Sequence, residues 1–135
     1  MKVVLDTNVV VSAFLSPIGN PATILQLALR RDIEICFNTA ILSEYEQVLC
    51  RAKSADRIYK SAIERFFEII YCIGRNTIAT PSNIDMTDES DRIFFDVAKS
   101  AEALLITGNK KHYPSEPFIL DPAEFLKRLN TKRPA

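Results

Sequence analysis

The segment KVVLDTNVVVSAFL, residues 2–15, carries two periodicities with one charge between them. Val3, Val4 and Leu5 form a β-branched-rich apolar run of the kind seen in strands covered on both faces. From Val9 to Leu15 the pattern reads as the start of a helix. Asp6 stands at the junction, at the mouth of the strand, with the amide of Asn8 two residues on. A carboxylate withdrawn from water is expensive unless it is paired. Asp6 is therefore expected to be held for chemistry rather than left as a solvated edge residue.

Outward from this segment the alternation repeats. SPIGNP (16–21) is a turn signal, and PATILQLALRR (21–31) is a helix with Pro21 in its first turn and Asn20 as N-cap. DIEICF (32–37) is a second strand. NTAILSEYEQVLCR (38–51) is a helix capped by Asn38 or Thr39, with Ile41, Leu42, Tyr45, Val48 and Leu49 on one face. Residues 53–57 read as a polar turn, and IYKSAIERFFEIIYC (58–72) as an amphipathic helix running toward a strand near 69–79. TPSNIDMTDES (80–90) is irregular, DRIFFDVAKSAEA (91–103) a helix, and ALLIT (103–107) a strand. GNKKHYPSEP (108–117) is a loop, FIL (118–120) a short strand, and DPAEFLKRL (121–129) a helix opened by Pro122. Strands alternating with amphipathic helices predict an α/β sandwich, a parallel sheet covered on both faces. Ligands in such folds bind at the carboxyl ends of the strands, where the strand order switches. Asp6, Asn8, Thr107 and Asn109 all emerge at that edge.

At 135 residues the chain is expected to be a single domain, 1–135. Its 47% hydrophobic and 25% charged residues match an ordinary globular core. No apolar run approaches the roughly 20 residues that span a bilayer, and Asp6 and Asn8 interrupt any signal-peptide core, so no membrane association is expected. Three widely spaced cysteines, Cys36, Cys50 and Cys72, fit neither a disulfide framework nor a zinc cage, and point to a reducing cytoplasm. Seventeen basic residues balance seventeen acidic ones, so there is no global pull toward nucleic acid. A basic rim around an acidic pocket would average to the same zero.

The carboxylates at element boundaries carry the chemistry. Asp6 ends the first strand, Glu44 lies in the helix after the second, and Asp88 and Asp91 open the helix before LLIT. Crowded carboxylates repel unless a cation neutralises them, and hard oxygen ligands suit Mg2+ or Mn2+. On position alone Glu44 reads equally as a solvated helical glutamate. Asp88, three residues before Asp91, reads first as a cap, Asp91 as functional, and Asp96 as a solvated residue on another face.

VVLDTNVVVSAFLSP, ILSEYEQVL, DESDRIFFDVA and LLITGNKKHYP, in this order, resemble the PIN domain. More narrowly they resemble its branch of toxins from bacterial toxin–antitoxin pairs (VapC-like), and PFILDPAEFLKRL is similar to that branch's closing strand and helix. The resemblance implies a three-layer α/β/α sandwich with a mostly parallel sheet of about five strands. It also implies a Mg2+- or Mn2+-dependent ribonuclease that cleaves single-stranded RNA. Asp6, Glu44 and Asp91 match the family's catalytic, metal-binding carboxylates, with Asn8, Thr107 and Asp88 in support. The fourth acidic position reads Asn109, which offers a carbonyl oxygen but no charge, favouring one firmly held metal. Lys110, Lys111 and His112 are placed to meet phosphates. The implied partners are RNA, a small antitoxin protein capping the acidic edge, and a second copy of the chain docked through AILSEYEQVL and IYKSAIERFFEIIY. A haloacid-dehalogenase-type phosphatase would need a second carboxylate where Asn8 sits. A receiver domain would need an aspartate near residue 80, where the chain reads ATPSNI. The remaining alternative is the same fold as a catalytically weak RNA- or protein-binding module.

Overall fold

Val3 has a strand on either side: it pairs with Ile35 of one neighbour and Leu104 of the other. The computed structural model describes residues 1–54 and 58–132. Strand β1 is Lys2–Leu5, followed by helices α1 (Thr7–Leu15) and α2 (Asn20–Leu29) and strand β2 (Glu34–Phe37). Then come α3 (Thr39–Ser54), α4 (Lys60–Ile73), β3 (Arg75–Asn76), α5 (Arg92–Ala101), β4 (Leu104–Ile106), β5 (Ile119–Leu120) and α6 (Pro122–Lys132). Short 3-10 turns sit at Glu89–Asp91 and Lys110–His112.

The five strands are ordered β3-β2-β1-β4-β5 and every pairing is parallel. The chain builds outward from β1 to β3 and then returns to the other side of β1 for β4. The switch point therefore lies between β1 and β4, the predicted place for a site. Helix α5 packs across β1, β2 and β4, and α4 lies against β2. The α/β sandwich predicted from sequence is the one observed. Among the described residues no single helix is long and apolar enough to cross a membrane.

Boundaries moved where local chemistry outweighed periodicity. The helix predicted from Val9 begins at Thr7, directly after Asp6, because Asp6 itself takes the N-cap position. Asn20 is the first residue of α2 and Gly19 its cap. Asn38 does cap α3, its Oδ1 accepting from Ile41 N at 2.9 Å. The strand foreseen near 69–79 shrinks to Arg75–Asn76, since α4 continues to Ile73. The polar turn at 53–57 falls partly outside the described residues; α3 runs through Ser54. Helix α6 opens with a reciprocal capping box: Asp121 Oδ1 accepts from Glu124 N at 2.7 Å, and Glu124 Oε1 from Asp121 N at 2.9 Å.

The face predicted for α3 is buried at Ile41, Leu42, Tyr45 and Leu49, with Val48 half-buried. Tyr45 reaches furthest. Its ring stacks on Phe94 of α5 and tilts against Phe66 of α4, and its hydroxyl donates to the Leu5 carbonyl at the end of β1. Asp96 is a correction. It is only 8% exposed rather than solvated, and its Oδ1 has no hydrogen-bond partner. Helix α5 is buried from Phe94 through Ala98, although Lys99 and Ser100, one turn on from Asp96, are exposed.

Replacing Tyr45 by Phe keeps the ring and leaves the Leu5 carbonyl unpaired. The variant should retain native secondary structure and lose about 1–2 kcal/mol in urea unfolding.

Candidate metal centre

Asp6 answers its own question through what it does not bond. Its backbone caps α1, with Val9 N and Val10 N donating to Asp6 O at 3.0 and 3.4 Å, but its side chain caps nothing. The residue is 6% exposed. Its Oδ2 instead accepts from Thr107 Oγ1 at 2.8 Å, from the Tyr113 hydroxyl at 3.0 Å and, more weakly, from Asn8 Nδ2 at 3.5 Å. Among the described residues Oδ1 takes no hydrogen bond, so one oxygen is anchored and the other is not.

The anchors come from across the switch point. Asp6 N donates to Ile106 O at 2.9 Å, which extends the β1–β4 pairing by one residue and aligns Asp6 with Thr107. Thr107 is fully buried, and its hydroxyl also accepts from Asn109 N at 3.0 Å. Asn8 Oδ1 accepts from Gly108 N at 3.0 Å, fastening the first turn of α1 to the loop after β4. A Cβ on Gly108 would stand 3.3 Å from that oxygen, so the glycine permits the close approach.

A second group gathers beside the first. Asp88, Asp91 and His112 each offer a ligand atom, and these atoms lie within 4.8 Å of one another. Asp88 caps the 3-10 turn, as read from sequence, with Oδ1 accepting from Ser90 N at 3.0 Å and Ser90 Oγ at 2.8 Å. Those bonds hold its carboxyl below the usual range. Asp91 sits at the start of α5 and, like Asp6, makes no side-chain cap bond. Its Oδ2 is buried without a hydrogen bond, and His112 Nδ1 stands 3.4 Å away. Burial first, then the charges of Asp6 and Asp88, push Asp91 up to about 6, against a smaller opposing pull from His112. Burial and the Asp6 charge raise Tyr113 well above its ordinary value, so it remains a neutral donor.

Glu44 is half-buried on α3, next to Tyr45; no hydrogen bond or ion pair joins it to the other carboxylates, and no close three-ligand group among the described residues includes it. The Asn109 amide nitrogen lies 3.0 Å from His112 Nε2. The basic run divides: Lys110 Nζ is tied to Glu124 at 3.0 Å, Lys111 is exposed, and His112 joins the acidic cluster.

Two supports were missed in the sequence. Tyr113 lies in a loop with no periodicity, although a buried tyrosine needs a partner for its hydroxyl. Arg92 braces the loop that carries Asp88. Its guanidinium donates to Ser82 O at 2.9 Å, Ser82 Oγ at 3.0 Å, Ile84 O at 2.6 Å and both Glu89 oxygens at 2.7 Å.

Parallel strands with an anchored carboxylate at the switch point, and further carboxylates beside it, define an α/β protein with an acidic centre suited to a divalent cation. The PIN domain family matches residues 2–111, and the chain belongs to that family. It is 32% identical over 113 residues to the uncharacterised protein MJ1680 of Methanocaldococcus jannaschii, spanning 82% of this chain and 72% of the relative. Among solved structures it is similar to VapBC2 from Rickettsia felis bound to a DNA fragment from their promoter. The TM-score is 0.58 at 18% identity, covering 90% of this chain and 98% of the other, and the likeness is one of fold.

The raised Asp91 has a consequence for stability. Its charged form is disfavoured by folding, so the folded state binds more protons between about 4 and 6. In chelator-treated protein, stability from this group should fall as pH rises through that window. At pH 7.5, thermal or urea unfolding should find Asp91→Asn more stable than wild type by about 1–2 kcal/mol, a figure reduced for solvent screening. Below pH 4 the difference should vanish.

Proposed function

We propose that this chain is a metal-dependent endoribonuclease that cleaves single-stranded RNA, acting as the toxin of a toxin–antitoxin pair. The observation that carries the reading is Asp6: a buried carboxylate that declines its helix cap, is anchored through one oxygen, and lies close enough to Asp91 to raise it. Such a charge is expensive to maintain without a cation.

The donor set fits Mg2+ or Mn2+. Asp6, Glu44 and Asp91 would hold the ion, with the Asn109 carbonyl as auxiliary, and the buried, unbonded Oδ2 of Asp91 is the kind of atom a cation satisfies. When bound, the ion supplies Lewis acidity toward a phosphodiester and a more acidic water. Thr107, Tyr113 and Asn8 fix the Asp6 carboxylate in one orientation. Arg92 and the Asp88 cap fix the approach to Asp91. Lys111 is free to turn toward a backbone phosphate, while Lys110 would first have to leave Glu124. Membership of the PIN family supports the nuclease class.

The partner reading follows the same line. The toxin role and a small antitoxin that caps the acidic edge come with the family branch that the sequence resembles, and the reducing cytoplasmic setting comes from the spacing of Cys36, Cys50 and Cys72. A groove of about 640 Å3 between α3 and α4, lined by Leu42, Ile63, Phe67 and Tyr71 among others, supports a homodimer docked through those helices. A second reading, a catalytically weak binding module of the same fold, draws on Asn109, whose uncharged amide contacts His112.

Single-stranded RNA incubated with purified protein and Mn2+ separates the two readings. The wild type should cut, and Asp6→Asn and Asp91→Asn should each reduce the rate by at least about a hundredfold. RNA left intact by the wild type, or cut equally by Asp91→Asn, would sink the enzyme reading and leave the module.

A further inference from the structure

We propose that His112 is itself a ligand of the bound cation, taking the place that an acidic side chain at residue 109 would fill, so that the centre prefers a first-row transition-metal ion to Mg2+. The proposal deepens the metal-site reading above and rests on it.

The backbone explains how a residue three positions on can take that place. Asn109 caps the 3-10 turn Lys110–His112, and His112 N donates to Asn109 O at 3.0 Å. The turn folds the chain back on itself, so that the His112 ring returns to the Asn109 side chain. That ring is met by the Asn109 amide, 3.0 Å from Nε2 and 3.3 Å from Nδ1, and by Asp91, 3.4 Å from Nδ1. An amide can serve either tautomer by turning over, so Asn109 can steady the ring whichever nitrogen is presented.

Charge and donor chemistry lead the same way. Two carboxylates and one imidazole lie within mutual ligand distance, and Asp91 Oδ2 is buried without a hydrogen bond. Two carboxylates carry more negative charge than one imidazole can offset in either form, so the group lacks a cation. Mg2+ takes oxygen ligands and keeps its waters, whereas imidazole nitrogen binds first-row transition ions along the Irving–Williams order. A set in which His112 joins Asp91 and the other carboxylates therefore discriminates between ions in a way that an all-carboxylate set does not.

The chain contains a single histidine, which makes the test clean provided the protein carries no histidine tag. Calorimetric titrations with Co2+ and with Mg2+ should compare wild type, His112→Gln and Asp91→Asn. Wild type should bind Co2+ more tightly than Mg2+. His112→Gln should lose at least about tenfold in Co2+ affinity and less than about threefold in Mg2+ affinity. In proton spectra, bound Co2+ should shift or broaden the ring signals of the one histidine. If wild type binds both ions, Asp91→Asn abolishes binding, and His112→Gln weakens both equally or neither, the ligand assignment is overturned and the metal site stands. If wild type binds neither ion, both fall.

Discussion

The hydrogen bonds from Thr107 and Tyr113 to Asp6 Oδ2 are the constraint on which the site depends. A carboxylate at 6% exposure survives only because hydroxyls replace its water. Those hydroxyls come from the far side of the topological switch, so the charge also joins β1 to the loops beyond β4. The Tyr45 hydroxyl on the Leu5 carbonyl brings α3 to the same strand end. Asp6 is thus held by elements more than a hundred residues away in sequence, and the rigidity of its oxygens is a property of the whole sheet edge. Side chains freed from local capping duty recur here: Asp6 and Asp91 both occupy N-cap positions and neither side chain bonds its own helix. An aspartate at a cap that does not cap has its lone pairs directed elsewhere.

The fold was legible because it is written in short-range pattern. β1, β2, β4 and the helices between them were visible as apolar runs and stripes, since burial on one or both faces imposes those periods. The strand read near 69–79 was placed too broadly, because α4 continues to Ile73 and the two residues of β3, Arg75 and Asn76, are exposed at the sheet edge, held by strand pairing and the Arg75–Glu34 ion pair rather than by apolar burial. Asp96 misled for a related reason. Polarity within a helix predicts exposure only when some face of that helix meets water, and at Phe94–Ala98 none does. At the site, the position of Asp6 and the capping role of Asp88 could be read locally. The contacts of Tyr113 and Arg92 could not, because they join loops that no periodicity relates. The place of His112 lay between these cases. The loop sequence GNKKHYP contains the residue, but only the tight turn of the folded chain brings its ring back against Asn109 and Asp91.

The zero net charge of the chain conceals a gradient that this geometry creates. Acidic groups from the end of β1 and the start of α5 converge, while one adjacent lysine is diverted to Glu124 and the single histidine turns toward Asp91. Folding therefore concentrates negative charge that the sequence average cancels, and the raised Asp91 is the electrostatic record of that concentration. Self-repulsion of this kind opposes stability in the absence of a cation and becomes attraction once one is present, so the same carboxylates that weaken the bare fold select its ligand. Asn109 fits this balance. A further charge at residue 109 would deepen the repulsion beside an Asp91 already near the point of protonation. An amide there adds no charge and still reaches His112, whose nitrogen can share a cation without adding to the negative field.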